Sequence, residues 1–192
     1  NPVLEMNGSY YEENEGKYST DIMIDYINDF IYRKKDQPFF VYYPMILTHC
    51  PFDPTPHSKD WDPTDMGSKT YKGNAKYFGD MVSYMDFSVS RIVNTLDQLG
   101  LREKTLIIFT ADNGTDVPVV SMMDNISVVG GKGKTTDNGT HVPLIVSWPG
   151  KVKPNAHTNT LIDFSDFFPT ICDVAGIQLD SNLDLDGISF YP

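Results

Sequence analysis

At 192 residues the chain is long enough to bury a core in one domain or the larger part of one, and its 40% hydrophobic content excludes a disordered polymer. A formal net charge of -11 excludes nucleic acid and anionic membranes as main partners, because both attract basic surfaces. Cys50 and Cys172 make neither a disulfide framework nor a zinc spacing, and no apolar run reaches the roughly 18 residues of a transmembrane segment.

Residues 1–19 are polar and tyrosine-rich and are expected to be irregular. Thr20 or Asp21 can cap a helix whose apolar residues Ile24, Ile27, Phe30 and Ile31 follow helical spacing. Arg33, Lys34 and Lys35 suit its C-terminal end, where cations meet the negative end of the dipole, and Pro38 stops it. Phe39-Phe40-Val41-Tyr42-Tyr43 then reads as a strand apolar on both faces, as a parallel sheet between helices requires. Residues 48–70 form a loop rich in Pro, Asp and Gly; at that length a loop in a compact domain is usually functional.

A second helical pattern covers residues 71–99 through Tyr77, Met81, Tyr84, Met85, Ile92, Leu96 and Leu99, with Gly100 as its stop. Residues 105–110 predict a second buried strand, ending in Ala111-Asp112-Asn113-Gly114. The loop Gly130-Gly131-Lys132-Gly133-Lys134 follows, then a third strand over 143–148 closed by Pro149-Gly150. A last helix is predicted over 163–174, ending at Gly176. Strands alternating with helices predict an α/β layered sandwich with a largely parallel central sheet flanked by helices. Ligands of such sheets sit beyond the carboxyl ends of the strands, where His49, Asp112, Asn113 and Lys132 fall.

Each of these residues carries a chemical option beside a plain structural one. Asp112 and Asn113 offer two hard oxygen donors for Ca²⁺ or Mg²⁺, but Asp-Asn-Gly is also a good turn, and calcium takes six to eight oxygens. His49, in a proline-stiffened loop, can donate a proton or hydrogen-bond an anion, or simply lie on the surface. Lys132, between glycines, brings a point charge close to an anion with backbone N–H groups around it; the segment lacks the spacing of a nucleotide phosphate loop. A Cys50–His49 dyad is disfavoured because adjacent residues in an extended loop point apart.

Taken together, the order of these segments resembles the sulfatase family of the alkaline-phosphatase superfamily. Thr48-His49-Cys50-Pro51-Phe52-Asp53-Pro54 resembles the family's His-x-Pro-x-x-Pro loop, and Thr105-Leu106-Ile107-Ile108-Phe109-Thr110-Ala111-Asp112-Asn113-Gly114 its strand ending in a metal-binding Asp-Asn-Gly. The segment from Gly131 to Pro143 resembles Gly-Lys-Gly-x-x-x-Glu-Gly-Gly-x-Arg-Val-Pro. Asp163-Phe164-Ser165-Asp166-Phe167-Phe168-Pro169-Thr170 resembles the helix that follows, and Asp186-Gly187-Ile188-Ser189 a loop near the start of the C-terminal subdomain.

The resemblance implies a fold and a mechanism. The whole chain, residues 1–192, would be one partial catalytic domain, with 177–192 leading toward a C-terminal subdomain. In the family a formylglycine, made from the Cys of a Cys-x-Pro-x-Arg motif, attacks the sulfur of a sulfate ester while calcium polarises it. Asp112 and Asn113 would be calcium ligands. His49 and Lys132 would be catalytic and substrate-binding, His49 against the sulfate or leaving group and Lys132 stabilising its charge. Asp137, Asn138 and His141 stand where the family has Glu, Gly and Arg. No Cys-x-Pro-x-Arg occurs, so the formylglycine is expected in an upstream segment, the calcium site is expected to be incomplete, and this chain alone is expected to be inactive.

The implied partner is a sulfated small molecule or glycan, with self-association through an exposed sheet edge expected where further strands would pack. Periplasm, secretion and lysosome all suit the family. Two rival readings remain beside this one: a phosphodiesterase or phosphonate hydrolase of the same superfamily, and a non-catalytic binding module that keeps the fold.

Overall fold

A computed structural model of the chain describes residues 3–191 and places them in two compact units, one up to Lys153 and one from Pro154 onward. The first unit opens with a two-stranded hairpin, β1 (Glu5–Met6) and β2 (Ser9–Tyr10), where the sequence predicts irregular chain. Its turn is Asn7-Gly8, with φ of 54° and 81°, and an Asn-Gly pair is suited to the two positive φ values such a turn needs.

Helix α1 (Ser19–Lys34) starts one residue before the predicted cap and has no side-chain cap bond. Its apolar stripe does what the spacing requires: Ile24 and Ile31 are fully buried and Ile27 nearly so. Helix α2 (Phe78–Gln98), entered through a 3₁₀ turn at Ala75–Tyr77, is shorter than the predicted 71–99. Gly100 at φ 66° ends it, as expected of a helix-stop glycine. The two helices are tied at one end by Arg91, whose guanidinium reaches Asp21 at 2.6 Å and also Asp25, while the Tyr84 hydroxyl donates to Asp21 at 2.8 Å. At the other end Ile27, Ile31 and Leu96 form one core cluster with Phe30, Phe39, Tyr43, Leu99 and Ile107.

Strand β3 (Ile107–Thr110) is the predicted strand after α2, trimmed at its start. A hairpin of β4 (Val120–Met123) and β5 (Ile126–Val129) follows, then the single turn of α3 (Asp137–Thr140) and β6 (Leu144–Ser147). A layered, largely parallel sheet is not found among the described residues. All three sheets among the described residues are two-stranded and antiparallel, and β3 pairs with β6 from Ile107 opposite Ser147 to Thr110 opposite Leu144. An apolar run does not encode strand direction, and β3 is only half buried along its length, unlike a strand sandwiched between helices.

The predicted strand at 39–43 is also not formed. Phe39 packs edge-on against Phe30 with ring centroids 6.3 Å apart, and Tyr43 faces the same cluster, whereas Phe40 and Tyr42 are exposed. Val41 is exposed as well, so the segment turns only its ends inward, and no ladder partner pairs with it among the described residues.

The second unit holds a 3₁₀ turn at Phe164–Asp166 and α4 (Phe167–Val174), with a capping box between Asp163 and Asp166 and Gly176 at φ 69° as the stop. The Asp186-Gly187-Ile188 segment folds back onto this start. The Ile188 N–H donates to Asp166 at 2.8 Å, and a side chain at Gly187 would strike the Ser165 carbonyl.

Candidate functional site

The antiparallel pairing of β3 with β6 decides where the site residues lie. The carboxyl end of β3, which leads into Asp112 and Asn113, sits beside the amino end of β6, so residues 130–143 must return to the same place. They do so through direct backbone contacts. The Gly114 N–H donates to the Gly139 carbonyl at 2.9 Å, and the N–H groups of Gly131 and Lys132 both donate to the Thr115 carbonyl at 2.9 Å.

Three glycines make this approach sterically feasible. A Cβ on Gly114 would lie 2.1 Å from the Asn138 carbonyl oxygen, one on Gly131 2.5 Å from the Asn138 side chain, and one on Gly139 2.2 Å from the Lys134 carbonyl. Asn138, where the family has glycine, braces the turn: its amide donates to the Val129 carbonyl at 2.9 Å and its oxygen accepts from Thr136 at 2.6 Å. Asp137 and His141, in place of Glu and Arg, face solvent and pair with each other at 3.2 Å. Asp112, Asn113 and Lys132 therefore share one end of the β3–β6 pair.

His49 joins them at one remove. Its loop is anchored by Leu47, Cys50 and Phe52, which are buried with Met81 and Tyr84 of α2 and with Val119 of the loop that follows Asp112. Cis peptide bonds precede Thr48 and Pro51. The His49 Nδ1–H donates to the Cys50 carbonyl at 2.6 Å; because a carbonyl only accepts, the proton is on Nδ1 and Nε2 is left to accept or, when protonated, to donate. The Asp116 carboxylate, on the loop that follows Asp112, accepts from the Lys72 ammonium at 2.5 Å. Lys72 holds the Asp116 carboxyl below its usual range, and Asp116 in turn raises Lys72. Cys50 is buried, which leaves no role for it as a nucleophile beside His49.

For a metal, the donor chemistry of Asp112 and Asn113 is right for a hard divalent cation, one carboxylate and one amide oxygen. No group of three His, Cys, Asp or Glu side chains that could hold a metal ion occurs among the described residues. Sequence reasoning missed Asp116, Lys72 and the bracing role of Asn138. Lys72 and Asp116 are 44 positions apart, and no local pattern links them.

An open groove of about 520 Å³ lies elsewhere, along α1, lined by Tyr11, Tyr18, Tyr26, Trp61, Asp21 and Asp25, and contains none of the four residues. Burial, and next the nearby Asp21 carboxylate, push the phenols of Tyr18 and Tyr43 up to about 12.

Comparison with known proteins gives one consistent result. The family model described as Sulfatase matches residues 3–177. The uncharacterized sulfatase YdeN of Escherichia coli is 33% identical over 91% of this chain and 30% of its own length. Human arylsulfatase A is 32% identical over 83% of this chain and 29% of its own. Among solved structures, Ps i-CgsB superposes with a TM-score of 0.77 at 26% identity, covering all of this chain and 41% of that one. The chain spans less than a third of the length of these two curated relatives.

Proposed function

Because this chain belongs to the sulfatase family, we propose that it supplies part of the active site of an enzyme that hydrolyses sulfate esters, with His49, Lys132, Asp112 and Asn113 facing one sulfate group. The observation that supports this most directly is the backbone contact of residues 114–115 with 131–132 and 139, which sets the segment after Asp112 and Asn113 beside that of Lys132.

The chemistry follows from the residue types. A sulfate ester carries negative charge throughout hydrolysis, and it is best stabilised by fixed cations and donors placed in advance. Lys132, held by its own N–H on Thr115, presents an ammonium to the sulfate oxygens. His49, with Nδ1 occupied, offers Nε2 as the proton donor to the departing alkoxide or aryloxide. Asp112 and Asn113 would hold two coordination positions of a calcium ion, which when bound polarises the sulfate.

A formylglycine does not fit this chain. Neither Cys50 nor Cys172 stands in Cys-x-Pro-x-Arg, and both are buried. The nucleophile is not supplied by these residues, and the chain alone should turn nothing over.

The substrate class is a sulfated glycan or a smaller sulfate ester. In support of the glycan, Ps i-CgsB has been solved in complex with k-i-k-neocarrahexaose. The exposed apolar residues Val120, Met122, Met123 and Ile126 of the β4–β5 hairpin form a two-stranded edge at which copies of the isolated chain would associate.

The test uses the protein as its gene encodes it, supplied with Ca²⁺ and assayed for sulfate release from a chromogenic aryl sulfate and from sulfated oligosaccharides. His49→Ala and Lys132→Met should each lower kcat/KM by about 100-fold, the loss of one aligned donor or charge. Full activity in both variants, or turnover of phosphodiesters in place of sulfate esters, refutes the assignment.

A further inference from the structure

We propose that Asp116 is a positioning residue that fastens the His49 loop to the loops carrying Asp112, Asn113 and Lys132; the catalytic consequence rests on the sulfatase reading above. Asp116 faces two ways. Its side chain is 13% exposed and receives the Lys72 ammonium at 2.5 Å. That donor lies against Phe52, a residue with only 1% of its surface exposed. Cys50 lies two positions before it. Lys72 is held against it through the backbone, because the Phe52 N–H donates to the Lys72 carbonyl at 2.9 Å and the Asn74 N–H donates to the Phe52 carbonyl at 2.9 Å. A Cβ on Gly73 would lie 2.4 Å from the Phe52 oxygen, so this strap lies flat on its partner. One carboxylate therefore captures, through the Lys72 strap, the segment that follows His49.

The other attachment of Asp116 is its own main chain. Its carbonyl accepts from the Val119 N–H at 3.1 Å and lies so near Gly130 that a Cβ there would be 2.0 Å away. The preceding carbonyl, of Thr115, carries both Gly131 and Lys132. A movement of Asp116 is thus passed to Lys132 through one peptide unit and to His49 through one side chain. Its carboxylate is taken up by Lys72, so the effect of the side chain on the reaction runs through His49, while the link to Lys132 belongs to the main chain.

The clamp has two separable consequences. Loosening it lets His49 drift from the position in which Nε2 meets the leaving group, a loss in the chemical step more than in binding. It also uncovers the Cys50 thiol, which in the closed state is buried between His49 and Phe52.

Asp116→Asn keeps the size and removes the charge. In the protein as its gene encodes it, kcat for a chromogenic aryl sulfate should fall about tenfold with KM held within about twofold. In a His49→Ala background the same change should cost less than about twofold, because its effect runs through His49. Lys72→Met, on a half-exposed side chain, gives a second variant of low folding risk and should lower kcat about threefold in the same pattern.

Alkylation of Cys50, followed on its own peptide by mass spectrometry, should be about tenfold faster in Asp116→Asn than in the wild type. A full tenfold loss on top of His49→Ala overturns the positioning role. Unchanged Cys50 alkylation in both variants overturns the clamp whatever the activity. A wild-type enzyme that releases no sulfate refutes the reaction instead, and the alkylation rates alone then decide whether the clamp exists.

Discussion

Replacing Gly114 with alanine puts a methyl group where the structure has no room for one. The new Cβ would lie 2.1 Å from the Asn138 carbonyl oxygen and 2.9 Å from the Gly139 Cα. Asn138 would have to retreat by at least about 1 Å to reach even a tight contact. That retreat breaks the 2.9 Å bond from the Gly114 N–H to the Gly139 carbonyl, a loss of about 1 kcal/mol. Overpacking adds about 1–3 kcal/mol, and the smaller entropy of the unfolded alanine chain returns about 0.4–1 kcal/mol. The balance is a destabilisation of about 2–3 kcal/mol.

Urea denaturation should show this as a lower midpoint with an unchanged slope, and thermal melting as a drop of about 4–12 °C for a domain of this size. Gly79→Ala is the control: Gly79 lies in the first turn of α2 with open space at its Cβ, and alanine there should stabilise by about 0.5 kcal/mol. A Gly114→Ala protein that melts with the wild type would refute the close approach of residues 114 and 138–139, and with it the convergence on which the site depends.

Three further outcomes are expected. Tyr18 and Tyr43 have phenols raised from 10.0 to about 12, so the stability they contribute is complete below pH about 10 and is lost as pH rises toward about 12. Phenolate absorbance and circular dichroism should change together in that window, and a fold unchanged at pH 12 with both phenols ionised would contradict their burial. Calcium should bind the isolated chain with a dissociation constant of about 10⁻³ M or weaker, since Asp112 and Asn113 offer two ligands; micromolar affinity by calorimetry, lost in Asp112→Ala, would reveal a fuller site. Sedimentation of the isolated chain should show association that weakens when Met122 is changed to lysine, and a clean monomer at high concentration would show that the β4–β5 edge is shielded.

Much of the molecule was legible in local pattern. Both long helices follow from 3.6-residue spacing, because burying Ile24, Ile27 and Ile31 on one side is possible only for a helix at that period. Stops at Gly100 and Gly176 follow from the positive φ that glycine tolerates, and the strand before Asp112 from its continuous apolar run. The ordered motifs at residues 48–54, 105–114, 131–143 and 163–170 were enough to indicate the family before any geometry was known.

Tertiary structure decided the rest. The apolar run of β3 is equally compatible with a parallel or an antiparallel neighbour, and only its pairing with β6 gives the direction. Phe39–Tyr43 reads as a strand from its apolar run yet stays irregular, because a strand is stabilised by a partner's hydrogen bonds and an apolar run cannot supply one. The β4–β5 hairpin escaped notice although Asp124-Asn125 is its turn, with φ of 48° and 66°, since Asp-Asn is a weaker signal than Asn-Gly. Asp116 and Lys72 carry no mark of their pairing, because contacts between residues 44 positions apart are set by how whole elements pack. Local sequence determined which residues could form helices, strands and turns; long-range packing alone determined which loops meet and which side chains share a site.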